Sequence, residues 1–157
     1  MAAIDTARTA GASAYAADQL TAAEASLKRY DDLVADRDYK QALSAALDAR
    51  DRAFDAAKSA TARQASLRSE ADQLLKSLDA AVAAADADLK ASRSASAARR
   101  ADKLRLTRKA AASAMQEART MMTAGELTKA VKRLVDANAA MKRDIASLEA
   151  VVKKPQK

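Results

Sequence analysis

Leu33-Val34-Ala35-Asp36-Arg37-Asp38-Tyr39-Lys40-Gln41-Ala42-Leu43 decides the fold, because two helical patterns meet in it across a tight acidic turn. On the N-terminal side Leu20, Ala23, Leu27, Tyr30 and Val34 recur at alternating spacings of three and four, which sets them on one stripe of a helix that stops near Ala35. On the C-terminal side a second helix starts near Tyr39, with a stripe through Ala42, Ala46, Ala49, Ala53, Ala56 and Ala60. Asp36 or Asp38 is placed to accept a hydrogen bond from the free N–H groups of that second helix, whose positive end also favours a carboxylate.

The stretch returns in altered form as Met121-Met122-Thr123-Ala124-Gly125-Glu126-Leu127-Thr128-Lys129-Ala130-Val131. A shift of 88 residues carries Ala23 onto Ala111, Leu27 onto Met115, Leu33 onto Met121, Asp38 onto Glu126, Tyr39 onto Leu127 and Ala42 onto Ala130. We read this as a duplicated helical hairpin. Gly125 stands where a helix commonly ends in a left-handed conformation.

Outward from these turns, residues 1–14 carry a weak helical pattern broken at Gly11, which suits a short entry helix or a frayed end. Beyond Ala60 a further stripe runs through Leu67, Ala71, Leu74, Leu78, Val82, Ala85 and Leu89. Thr61 to Ser66 between the two is weakly apolar, and the stripes read as out of phase. One long helix over about residues 38–90 is expected, with a break near Thr61 as the rival. Ala91 to Ser96 is rich in Ser and is the next interruption. A stripe of Leu104, Ala111, Met115, Ala118 and Met122 follows, and after the second turn Val131, Leu134, Asn138, Met141, Ile145, Leu148 and Val152 keep a heptad pattern. The expected organisation is a single helical domain over residues 1–152 with a disordered tail at 153–157.

Composition supports all-α architecture: an antiparallel helical bundle of long, coiled-coil-like hairpins. Half of the 157 residues are apolar, much of that Ala, while only two Gly and one Pro occur. Ala has the best helix propensity but buries little apolar surface, so the core should be thin and spread along long helix contacts. No run of about 18 apolar residues is present to cross a membrane. With no Cys and no His there is no disulfide, thiolate, imidazole base or soft metal site, so no enzyme, cofactor or metal is expected.

The turn Asp36 to Leu43 resembles the inter-helix turn of tetratricopeptide-like hairpins, in which an aromatic residue opens the second helix and a small Ala three positions later lets the helices close. Taken with Ala10-Gly11-Ala12-Ser13-Ala14-Tyr15-Ala16 and Leu20, residues 7 to 60 resemble an uncharacterised bacterial family of Ala-rich helical domains found in envelope lipoproteins. Arg37 stands where that family has Gly. The resemblance implies helical architecture, as two such hairpins joined by a long helix, and a cell-envelope or periplasmic setting if Met1 replaces a removed signal segment. With Met1 as the natural start the chain would be cytoplasmic.

Charge is uneven. Residues 1–92 hold 12 Lys or Arg and 15 Asp or Glu, whereas residues 93–157 hold 16 and 6. Arg93, Arg99, Arg100, Lys103, Arg105, Arg108 and Lys109 surround the single acid Asp102. Arg99, Arg100, Lys103, Arg105, Arg108 and Lys109 are candidate contacts for a polyanion or partner: anionic wall polymers, a lipid surface or, less favoured, nucleic-acid phosphates. The plainer reading is a solvated start of a helix. Asn138 is a candidate register residue, with the alternative that Ala137 faces inward instead. Met115, Met121, Met122 and Met141 read as core. The expected function is a non-enzymatic spacer or interaction module of a bacterial envelope that binds a protein partner or itself; the alternative is a cytosolic, non-specific nucleic-acid binder using residues 93–109.

Overall fold

The structure, a computed structural model, describes residues 1–91 and 98–152. Among these it is helical throughout apart from short turns: α1 (Ala2–Thr9), α2 (Ala12–Tyr15), α3 (Ala17–Ala35), α4 (Tyr39–Ala91), α5 (Ala98–Thr123) and α6 (Leu127–Val152). The Ser-rich interruption expected after Ala91 and the tail from Lys153 lie outside the described residues. No described helix is long and apolar enough to cross a membrane. The chain forms two compact units, Met1–Ser66 and Leu67–Lys157, each built on its own part of α4.

In the first unit α3 turns back on α4 through three residues. Asp36 N–H donates to the Asp32 carbonyl, Arg37 N–H to Val34 and Asp38 N–H to Leu33, which satisfies the open carbonyls at the end of α3. Arg37 holds the left-handed conformation this closure needs, at φ 61°. Asp38 then caps α4: its carboxylate accepts from the Gln41 backbone N–H at 3.1 Å and from the Gln41 side chain at 2.7 Å. The second turn repeats these bonds 88 residues on, with Ala124 donating to Thr120, Gly125 to Met122 and Glu126 to Met121. Here the left-handed position is Gly125, at φ 78°.

The first core is mostly alanine. Ala23 of α3 packs with Ala53, Ala56 and Ala60 of α4, joined by Leu20 and by Ile4 and Ala7 of α1. The N-terminal segment is therefore an entry helix rather than a frayed end. It is clamped by Arg8, whose guanidinium reaches Glu24 of α3 at 2.6 Å. Tyr39 opens α4 as expected, with its ring largely exposed, and Ala42 three positions on is buried.

No break occurs at Thr61, and the two stripes of α4 are in phase. Ala60, Gln64 and Leu67 are spaced by four and three, so Gln64 occupies the seam position that lacks an apolar residue. It sits half-buried and donates from Nε2 to the Ala10 carbonyl at 2.9 Å, satisfying an acceptor left open at the end of α1. Gly11 is favoured beside it: the backbone is left-handed at φ 83°, and a Cβ there would lie 2.6 Å from the Gln64 amide nitrogen and displace that side chain from its bond.

The second unit is a bundle of the later part of α4 with α5 and α6. Its largest buried side chains are Leu78, Leu104, Leu127, Leu134, Met141 and Leu148. Met115 is also buried, whereas Met121 and Met122 are half-buried near the turn. Arg108 bridges α5 to Asp86 of α4 at 2.6 Å, and Arg133 bridges α6 to Glu117 of α5 at 2.7 Å.

The two turns make opposite predictions from one geometry. A left-handed residue with a Cβ costs about 1–2 kcal/mol, partly offset by the greater freedom of Gly in the unfolded chain. Arg37→Gly should therefore raise stability by about 0.5–1 kcal/mol and Gly125→Ala lower it by about 1 kcal/mol, read from urea midpoints. No atom lies within 4 Å of the Cβ position at Gly125, so that loss would be conformational rather than steric.

Candidate functional site

The basic segment forms the first turns of α5, where Ala101 and Leu104 face the core and the charged side chains point elsewhere. Half of the candidate contacts are already engaged. Lys103 lies 2.8 Å from Asp144, Arg105 bonds Asp102 at 2.5 Å on its own helix, and Arg108 holds Asp86. Arg99, Arg100 and Lys109 are exposed, with no ion pair among the described residues, and Leu106 projects beside them at 70% exposure. Three separated cations on an exposed helix make a weak electrostatic surface rather than a groove.

Asp144 is a buried acid that sequence reasoning missed, because the heptad pattern assigns that part of the seam to its neighbour Ile145. Asp144 is instead buried and Ile145 half-buried. Its Oδ2 accepts from the Thr107 hydroxyl at 2.6 Å while Oδ1 faces the Lys103 ammonium. Burial pushes this carboxyl up, but Lys103 and Thr107, helped by the charge of Arg143, outweigh it and hold the carboxyl below the usual carboxylate range. The group joins α5 to α6 and is structural.

Asn138 is buried, and Ala137 beside it is buried too. The Asn138 amide nitrogen donates to the Leu74 carbonyl of α4 at 3.0 Å and to Leu134 on its own helix at 3.1 Å, while its Oδ1 is buried with no partner among the described residues. Both bonds lie within one chain, so the register that Asn138 addresses is that of α6 against α4.

The first unit carries a more suggestive feature. Within its first sixteen residues α4 is apolar on two adjoining stripes. One, through Ala42, Ala45, Ala49 and Ala53, is buried. The other, through Tyr39, Leu43, Leu47 and Phe54, is not: these four are 67%, 64%, 44% and 54% exposed. Tyr39, Leu43 and Phe54 border an open groove of about 970 Å³, walled by Leu27, Tyr30 and Val34 of α3 and by Ala3, Ile4 and Thr6 of α1, and floored by Ala42, Ala46 and Ala49; Leu47 lies on the same helical face just outside it. The lining holds one acidic side chain, Asp31, and one basic, Arg50. Helical periodicity holds the signal for this face, since residues 39, 43, 47 and 54 fall within about 80° of one another at 100° per residue, but the buried Ala stripe beside it accounts for the hairpin alone.

The hairpin's other side is polar. Asp48 of α4 accepts from Arg52 at 2.7 Å and from Ser26 of α3 at 2.6 Å, and these bonds, Arg52 foremost, lower its carboxyl below the ordinary range. No group of metal-capable side chains occurs among the described residues. Compared with family models, curated proteins and solved structures, the chain matches none.

Two predictions follow from the second unit. Lys103→Met should cost about 1–3 kcal/mol at pH 7 by leaving a buried carboxylate without its cation. Because the folded pKa of Asp144 lies below the unfolded value near 3.9, its contribution is complete above that value and is lost as pH falls through the folded one. The gap between wild type and Lys103→Met should thus close in acid, as followed by chemical denaturation across pH. Asn138→Leu removes a buried, unpaired oxygen and should raise the melting temperature, by the equivalent of about 1 kcal/mol, without changing the chain's oligomeric state; calorimetry and light scattering read the two separately.

Proposed function

We propose that this chain is a non-enzymatic interaction module that docks another polypeptide in the groove beside α4 of its first unit. The observation that carries the reading is the uncovered stripe Tyr39, Leu43, Leu47 and Phe54. Large side chains exposed singly are ordinary, but four on one helical face along an open groove form the kind of contiguous patch that marks interaction sites. The spacing suits an amphipathic helix laid into the groove, where affinity comes from apolar anchors at helical intervals.

The setting proposed is a bacterial cell envelope, on the resemblance of residues 7 to 60 to Ala-rich envelope domains. In that setting Arg99, Arg100 and Lys109 would serve as a secondary contact with anionic wall polymer or lipid. A nucleic-acid role is the less favoured reading: Lys103 is held by the buried Asp144, and Asp86 and Asp102 set acids among the remaining cations, which lowers the net charge available to neutralise phosphates.

A photoreactive side chain placed at Leu43, and as control at Asp55 on the polar face of α4, tests the docking reading in cells that make the protein. Adducts are expected from position 43 and not from 55. Their absence at 43 would overturn the reading.

A further inference from the structure

We propose that the groove of the first unit takes a second copy of this chain, through a two-fold contact between the exposed stripes of the two α4 helices. The inference rests on the docking reading and adds the identity of the occupant.

Shape is the first argument. The same face carries a ridge, formed by Leu43, Leu47 and Phe54, and a hollow floored by Ala46 and Ala49. In an isologous contact one patch must complement itself, and a ridge beside a small-residue hollow does so: each copy's ridge fills the other's hollow. The exposed fractions of the four large side chains amount to several hundred Å² of apolar surface on this one face. That is about half of the 800 Å² per partner that a standard interface buries, so the α1 and α3 walls of the groove must contribute the rest of the contact.

Charge is the second argument. Antiparallel pairing of two α4 helices centred near Leu47 sets Arg50 of each copy level with Leu43 and Ser44 of the other. The tight turn at residues 36–38 sets Asp31 of α3 at that same level in its own hairpin, and both Asp31 and Leu43 border the groove. Each Arg50 thus meets the other copy's Asp31, giving two acid–base pairs at the edges of the contact. Among the described residues Arg50 pairs with its neighbour Asp51 at an exposed position, a bond that is cheap to exchange. An anionic membrane is a poorer occupant, since surface-bound helices flank the apolar face with an excess of Lys and Arg, and this groove offers one of each sign.

Sedimentation equilibrium of the full chain, over a concentration series reaching the millimolar range, tests the inference. The expected mass is that of two chains. Leu43→Glu and Phe54→Glu, both at exposed positions, should each give a monomer whose helicity by circular dichroism and melting temperature match those of the wild-type chain diluted below its dimerisation threshold. Asp31→Arg and Arg50→Asp should each weaken self-association by about tenfold or more, and an equimolar mixture of the two should recover it, because only the mixed dimer pairs both charges. A monomer at every concentration, or a dimer indifferent to Leu43→Glu, overturns the second copy as occupant. The mass of the photo-adduct at position 43 then separates the two failures: an adduct unequal to two chains leaves the docking face with a different partner, and no adduct removes the docking face as well.

Discussion

How closely two helix backbones can approach when only methyl groups stand between them governs the rest of this structure. Ala23, Ala53, Ala56 and Ala60 have no exposed surface, and Ala49 has almost none. Close approach maximises dispersion contacts per unit length, yet each Ala removes little apolar area from water. The hairpin must therefore be held along its length and closed firmly at its end. The turn bonds around Arg37, the Asp38 cap and the Arg8 clamp on α1 supply that closure.

A stripe of methyl groups is also nearly smooth, so a slip of one helix along another changes the apolar contacts little. Polar groups set into the seam remove that freedom. Gln64 reaches the carbonyl at the end of α1, Asn138 reaches the Leu74 carbonyl of α4, and Asp144 ties α6 to Thr107 and Lys103 of α5. Each can be satisfied in one alignment only. In the second unit Leu78, Leu104, Leu134 and Leu148 add bulky buried contacts, whereas in the first only Ile4 and Leu20 do so among the described residues, which leaves the first unit more dependent on its turn and caps.

The same economy leaves the groove open. Because α3 lies close on the Ala stripe, it covers only part of α4's apolar circumference, and α1, which packs through Ile4 and Ala7, walls the groove without closing it. Tyr39, Leu43, Leu47 and Phe54 remain outside. A larger core residue on α3 would have spread contact more widely and left less surface to recognise anything else. In this sense the groove is a by-product of how the core is built.

Local signals were legible because they depend on near neighbours. The period of three and four, a cap at Asp36 or Asp38, the Gly at position 125 and the recurrence of the first turn 88 residues on each follow from backbone geometry within a few residues. Phase across a polar gap was harder: Gln64 masks a continuous seam, since a polar residue at a core position looks like an interruption until its acceptor, the Ala10 carbonyl, is known. The burial of Asp144 in place of Ile145 and the pairing of half the basic segment depend on side chains brought from other helices. By itself, then, the sequence determined helices, turns and the all-α class, because these rest on contacts within a turn or two. Which apolar stripe is covered and which is left exposed was decided only by tertiary structure, because both stripes of α4 satisfy the same helical period and only the approach of α3 and α1 distinguishes them.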